Sequence, residues 1–124
     1  RDTDRSRGLG DVYKRQVIDR NRLQISGNTE DVMGHDDLHE RIRSFGWHVI
    51  DVKDGNDIDQ LNAAFEEAKT VKGKPTAVIA NTVKGCGSSV MENKANWHHK
   101  VPTQEEYDQI IADFAARKEA ALHE

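Results

Sequence analysis

One short polar motif carries residue types that suit metal chemistry. Asp19 and Asn21 directly follow the apolar pair Val17 and Ile18, in the run VIDRNRLQISGNTED. Amide and carboxylate oxygens, with backbone carbonyls nearby, are hard ligands that suit Mg²⁺ or Ca²⁺. One Asp-x-Asn cannot complete an octahedral shell, and the same residues after a strand also form ordinary turns. The motif therefore predicts either part of a metal site or a turn.

A second motif offers a cation and flexible backbone for a phosphate. Lys84, Gly85 and Gly87 lie in the run TVKGCG. Lysine is a point charge for phosphate, and glycine lets the backbone approach an anion closely. The spacing does not match a P-loop, which ends a longer glycine loop with Lys-Ser/Thr. A flexible surface loop with one solvated lysine is the alternative interpretation.

Histidines and the single cysteine complete the reactive side chains. His98 and His99 follow Trp97 and could bind phosphate or move protons near neutral pH, or lie exposed beside a locally packed tryptophan. His35 and His39 share a helix face at a spacing that suits zinc, but HDDLH lacks the glutamate placement of a metalloprotease, which favours two surface histidines. Cys86 lacks an assignable catalytic base and is interpreted as incidental.

The elements that must position these residues alternate between strands and helices. Strands are predicted at Val17 and Ile18, at residues 47–52 and at residues 76–80, each followed by a helix. This order predicts an α/β fold: a three-layer structure with a mainly parallel sheet and flanking helices. Ligands bind at the carboxyl ends of such strands, where the long polar loops 20–34 and 83–102 begin.

Helix boundaries and buried faces follow from capping residues and apolar spacing. Two capping boxes are predicted, one at Asp57 with Gln60 and one at Thr103 with Glu106. Asp36 and Asp37 open the first helix, and Gly46 ends it. The predicted buried helix faces are Leu38, Ile42 and Phe45; Ile58, Leu61, Ala64, Phe65 and Ala68; and Tyr107, Ile110, Ile111 and Phe114.

Composition limits the class of protein. The chain has 124 residues, 35% hydrophobic and 32% charged, which fits one domain with a modest core. Its net charge of -4, with acids and bases interspersed, argues against a nucleic-acid partner. The sequence has no apolar run long enough to span a membrane and no signal peptide. One cysteine excludes an internal disulfide and favours a reducing compartment, the cytoplasm.

Four segments together resemble the thiamine-diphosphate-binding domain of transketolases. They are IDRNRLQISGNTEDV, FGWHVIDVKDGNDI, AFEEAKTVKGKPTAVIANTVKGCG and MENKANWHHKVPTQEEY, in the family's order and spacing. The resemblance runs from Val17 to about Glu119 and corresponds to the second half of that domain. It looks closest to the short N-terminal subunit of two-chain transketolases.

The resemblance implies a magnesium (or calcium) site and a bound thiamine diphosphate. Asn21 matches the asparagine whose side chain coordinates the metal, and Leu23 matches the residue that supplies a main-chain carbonyl. The family's Gly-Asp-Gly, whose aspartate completes the metal site, is absent from residues 1–16. The chain is therefore expected to be inactive by itself.

The resemblance also implies the cofactor-binding residues. Gln24 and Ile25 fall in the segment that lines the cofactor, and Lys84 matches the lysine near its diphosphate. His98 matches a histidine on the diphosphate side and is the candidate catalytic residue, while position 99, usually glycine in the family, is His99 here. The implied reaction moves a two-carbon ketol unit from a ketose phosphate to an aldose phosphate.

The resemblance divides the chain and suggests its partners. Residues 17–124 are expected to form the C-terminal half of the thiamine-diphosphate-binding domain. Residues 1–16 do not resemble the family and are expected to be a disordered or artefactual leader, joined near Gln16. The family implies a dimer with the active site between chains. The final helix, ending at Glu124, suggests that one partner is a separate C-terminal subunit.

Two alternatives stay open. One is a non-catalytic α/β interaction module that has lost the site, which the missing Gly-Asp-Gly supports. The other is a fragment of deoxyxylulose-phosphate synthase, a related thiamine-diphosphate enzyme. The runs NRLQIxG and Trp-His-x-Lys favour transketolase over that relative.

Overall fold

The computed structural model describes residues 14–34 and 37–123, which form five strands, four α-helices and one 3₁₀-helix. They divide into two compact units, one of residues 1–20 and 35–82 and the other of residues 21–34 and 83–124. In chain order the elements are β1 Arg15–Asp19, β2 Leu23–Gln24, β3 Gly27–Asn28, α1 Thr29–Met33, α2 Leu38–Ser44, β4 His48–Val52, α3 Ile58–Thr70, β5 Thr76–Ala80, the 3₁₀-helix Ala95–Trp97 and α4 Gln104–Leu122.

The first unit is built on a three-stranded parallel sheet in the order β1-β5-β4. The central strand β5, TAVIA, is buried at all five positions, as a short apolar run in a parallel sheet should be. Val78 of β5 pairs with Val17 of β1 on one side and with Ile50 of β4 on the other. The predicted α/β fold with a parallel sheet is confirmed.

Helices cover both faces of this sheet. Side chains alternate between faces along a strand, so Ile50 and Val52 share one face, and Asp51 lies on the opposite one. On the first face they pack with Val78 and with α3 through Ala64, Ala68 and the partly buried Leu61. On the second face His39 of α2 bonds to Asp51. The unit therefore has the predicted helix, sheet and helix layers.

The second unit contains a small antiparallel hairpin and the long C-terminal helix. Strands β2 and β3 pair in the register Leu23 with Asn28 and Gln24 with Gly27. Helix α4 begins at the predicted capping box, since the Thr103 side chain accepts from the Glu106 N–H and the Glu106 side chain accepts from the Thr103 N–H. The hairpin and α1 lie in the loop 20–34, where no regular structure was predicted.

Several predicted boundaries and contacts are wrong. Strand β1 begins at Arg15, two residues before the predicted start, because Arg15 and Gln16 pair with Thr76 and Ala77. The capping box at Asp57 is not formed, because the Gln60 side-chain oxygen accepts from the Asp54 N–H at 3.1 Å. Residues 1–13, His35 and Asp36 lie outside the described residues, and so do the predictions made for them.

The predicted helix faces are only partly buried. Phe45 is 82% exposed, because α2 ends at Ser44 and Phe45 is its C-cap. Ile58 is 72% exposed at the start of α3, and Ile110 is the one residue of α4 that is buried. None of the described helices has the length and apolar character to cross a membrane.

Candidate functional site

The two predicted metal ligands, Asn21 and Leu23, belong to one turn in the second unit. The backbone N–H of Leu23 donates to the Asn21 Oδ1 at 3.0 Å, and Arg22 between them has φ 59°. That left-handed conformation is uncommon for a residue with a Cβ, and the hydrogen bond helps to hold it. An amide oxygen has a second lone pair, so the Asn21 Oδ1 can still accept a ligand.

The hairpin carries the predicted cofactor-lining residues. The Thr29 N–H donates to the Arg22 carbonyl at 2.9 Å, which closes the hairpin next to the Asn21 turn. Gln24 is half-buried, while Ile25 at the tip is 65% exposed. An exposed apolar side chain at the tip of a rigid hairpin offers surface to a ligand, and Gln24 lies in the strand immediately beside it.

Lys84 lies in a loop whose glycine has a packing role. Gly85 has φ 68°, and a Cβ there would lie 2.8 Å from the Cβ and 2.9 Å from the carbonyl carbon of Met91. The Asn93 N–H donates to the Lys84 carbonyl at 2.8 Å and closes this turn. Glycine is needed here for the protein's own packing. Among the described residues, the half-buried Lys84 makes no side-chain hydrogen bond, so its ammonium is available to an anion.

His98 follows the 3₁₀-helix and is exposed. Its N–H donates to the Ala95 carbonyl at 3.2 Å, which continues the 3₁₀ turn. The His99 ring meets the His98 ring edge-on, with centroids 4.4 Å apart and an interplanar angle of 88°. Within the described ranges the His98 ring makes no hydrogen bond, so both of its nitrogens are open to a ligand.

A polar cluster in the first unit was not predicted. The Asp51 Oδ1 lies 2.7 Å from the His39 Nε2 and accepts from the Asn81 side-chain amide at 2.9 Å. Partial burial would raise the pKa of Asp51, but the hydrogen bonds from His39 and Asn81 and the nearby charges of His39 and Arg20 outweigh it, so that pKa is lowered. These residues are 12 and 30 positions apart in sequence, so only the order of the strands brings them together.

The first unit also occupies Asp19, the other polar residue of the opening motif. Its carboxylate accepts a hydrogen bond from the Thr82 hydroxyl, beyond the end of β5. Among the described residues, no group of three or more His, Cys, Asp or Glu side chains could hold a metal. The zinc interpretation of His35 and His39 is therefore not supported by the described part, where His39 bonds to Asp51 instead.

The comparisons with known proteins agree with these features. Residues 9–120 match the family described as transketolase, thiamine diphosphate binding domain. This chain belongs to the transketolase family. The family match starts upstream of Val17, so it includes part of the segment predicted to be foreign to the family.

Individual transketolases share this part of the chain. One of the two-chain type, a subunit of the apulose-4-phosphate transketolase of Phocaeicola vulgatus, is 41% identical over 103 residues, covering 83% of this chain and 36% of that protein. The transketolase of a Nostoc species is 44% identical over 92 residues, covering 73% of this chain and 13% of that protein. The chain thus spans about a third or less of the length of these relatives.

A solved transketolase structure has the same fold. The enzyme from Campylobacter jejuni superimposes with a TM-score of 0.75 at 24% identity, covering 85% of this chain and 16% of that one. This likeness extends the α/β assignment to a known transketolase. It carries no residue-level statement about the site.

Proposed function

We propose that this chain supplies part of the site that holds thiamine diphosphate and its divalent metal in a transketolase. The observation that carries the proposal is the Asn21–Leu23 turn, which combines an amide oxygen and a backbone carbonyl within a family-matched domain. In the proposed assignment, residues from Val17 onward form the C-terminal half of the binding domain.

The ligand set suits Mg²⁺, or Ca²⁺ in its place. Both ions prefer oxygen ligands, and Mg²⁺ commonly takes a few protein oxygens together with substrate phosphates and water. Asn21 would give its side-chain oxygen, and Leu23 its main-chain carbonyl. The described residues form no larger cluster of ligands, so diphosphate oxygens and groups elsewhere in a longer protein would complete the shell.

Lys84 and His98 would hold the other side of the diphosphate. Lys84 is half-buried, which strengthens its attraction for an anion relative to a fully solvated lysine. His98 can donate from both nitrogens when protonated and can hold or move a proton near neutral pH, which is the catalytic role proposed for it. Gln24 and the exposed Ile25 would line the cofactor at the hairpin.

The proposed reaction transfers a two-carbon ketol unit from a ketose phosphate to an aldose phosphate. When bound, the cofactor supplies the carbanion chemistry, and the protein binds and orients it. The Phocaeicola vulgatus relative is itself one subunit of its transketolase, which supports a partnership with a C-terminal transketolase subunit. A homo-oligomeric assembly belongs to the same proposal. The one cysteine, Cys86, is free, which fits the proposed cytoplasmic location.

Binding of thiamine diphosphate tests the proposal. Affinity is measured by calorimetry with and without Mg²⁺ for the unmodified chain, Asn21→Ala and the exposed control Asn62→Ala. We expect Mg²⁺ to strengthen binding, Asn21→Ala to remove that effect and Asn62→Ala to retain it. Lys84→Met should weaken binding about tenfold, the cost of one charge-assisted hydrogen bond, whereas the exposed Lys72→Met should not. Equal behaviour of Asn21→Ala and Asn62→Ala would reject the proposed metal ligand.

A further inference from the structure

Two side chains enclose the turn that carries His98. The Lys100 ammonium lies 4.3 Å from the centroid of the Trp97 ring. A cation over an indole face is a favourable contact. Because Trp97 precedes His98 and Lys100 follows His99, this contact closes a short loop around the two histidines. We refer to it below as the Trp97–Lys100 clasp.

The clasp is fixed to the start of α4 by Glu106. Lys100 donates to the Glu106 Oε1, while the Glu106 Oε2 accepts from the Thr103 N–H at 2.9 Å. One carboxylate therefore serves both the clasp and the capping box. The side chains of Lys100 and Glu106 are 35% and 24% exposed, so this ion pair is more shielded than a free surface pair.

Other contacts around His98 are weaker restraints. The His98 N–H bond to Ala95 fixes the backbone on its N-terminal side, but the described contacts of its ring are limited to the edge of His99. His99 is itself exposed, so its ring does not restrain His98 by burial. The restraint on the C-terminal side of His98 therefore comes from Lys100.

We propose that Lys100 is a positioning residue that holds His98 in place through the Trp97–Lys100 clasp. The functional meaning of this restraint rests on the proposed role of His98 at the diphosphate. Lys100 itself acts through Trp97 and Glu106 rather than on the ligand. The clasp exists without cofactor, so its effect can be measured separately from cofactor binding.

The test is NMR of the cofactor-free chain and of three variants. Lys100→Met removes the charge, Lys100→Arg keeps a cation that can lie over the indole, and Glu106→Gln keeps the capping box but not the ion pair. We expect Lys100→Met to speed amide exchange at His98 and His99 about two- to five-fold, the factor for losing one exposed cation–π contact. It should also shift the His98 ring resonances, and Lys100→Arg should restore both measurements.

Strand β5 reports whether the fold survives each variant. If Lys100→Met alters the amide spectrum of Val78 and Ile79, the comparison is made with Glu106→Gln, which should show the same direction of change at His98. Unchanged exchange and ring shifts at His98 in the folded variant would overturn the positioning role.

A second arm separates this proposal from the proposed function. Inorganic diphosphate is titrated into the unmodified chain and into Lys100→Met while the His98 ring is observed. Together with the expected result of the first arm, a shift of His98 that needs several-fold more diphosphate in Lys100→Met supports positioning for anion binding. If diphosphate does not shift His98 in the unmodified chain, the proposed function fails at this residue. The clasp is then judged by the cofactor-free measurements.

Discussion

The Ser89 backbone N–H and hydroxyl both donate to the same oxygen of Asp113, at 2.7 and 2.8 Å. This pair ties the loop after β5 to the middle of helix α4. The Ser89 hydroxyl is the main cause of a lowered pKa of Asp113, with further contributions from the Gln109 side chain and the Ser89 N–H, and these outweigh a small effect of burial. The folded state therefore favours the charged carboxylate.

This relationship predicts how stability depends on pH. Because the folded pKa of Asp113 is depressed, its contribution is present above the ordinary value of 3.8 and is lost as the pH falls through the folded value. Ser89→Ala should lower stability near neutral pH and reduce the further loss below pH 3.8. Urea unfolding at neutral and acidic pH measures both effects. Ser44→Ala, whose hydroxyl donates to a backbone carbonyl, is the control and should keep the original pH dependence. An unchanged pH dependence in Ser89→Ala would contradict this role of Asp113.

Glycine 85 is predicted to be required by its surroundings as well as by its backbone angle. Gly73 and Gly85 both have positive φ, 80° and 68°, but only Gly85 would place a Cβ within 3 Å of Met91. Gly73→Ala should cost about 1 kcal/mol for the left-handed conformation. Gly85→Ala should cost at least about 2 kcal/mol, because the nearest Met91 atoms are its Cβ and backbone. Equal unfolding free energies for the two variants would argue against this packing.

The exposed Phe45 is predicted to promote self-association. It is 82% exposed and, with Ile18, Ile42 and Trp47, lines an apolar hollow on the first unit. Exposed apolar surface of this kind favours aggregation. Phe45→Ser should lower the associated fraction in analytical ultracentrifugation without reducing stability. Val101→Ser, at a residue 83% exposed in the second unit, should change association less. A greater effect of Val101→Ser would move the association surface away from the hollow.

The 124-residue chain alone is predicted to have no transketolase activity. It covers 36% of the Phocaeicola vulgatus relative, and its described residues contain no complete metal-ligand cluster. The assay supplies thiamine diphosphate, Mg²⁺, a ketose phosphate and an aldose phosphate, with a heat-denatured sample as the control. Turnover above that control would show that these residues suffice for catalysis.

Local sequence signals predicted much of the fold. The apolar run of β5 and the Thr103–Glu106 capping box depend on neighbouring residues, and both are confirmed. The Asp57 capping box failed because Asp54 offered a competing N–H to Gln60. The hairpin β2–β3 was missed because strands of two residues are too short to show alternation.

The candidate site divides in the same way. The Asn21–Leu23 turn is local, so Asp-x-Asn after a strand could indicate it. The pairing of His39 with Asp51 joins different elements, and no short motif contains both. The Trp97–Lys100 clasp lies within four consecutive residues, but Trp-His-x-Lys carried no signal of a side-chain contact until the structure placed Lys100 over the indole.

Paramagnetic Mn²⁺ in place of Mg²⁺ tests the central claim most directly. Mn²⁺ takes the same oxygen ligands and broadens nearby NMR signals even at low occupancy. With thiamine diphosphate present, we predict selective broadening at Asn21 and Leu23 that Asn21→Ala removes and Asn62→Ala retains. Broadening confined to acidic surface positions such as Glu66 and Glu67, unchanged by thiamine diphosphate and by Asn21→Ala, would contradict the assignment of this turn as the metal site.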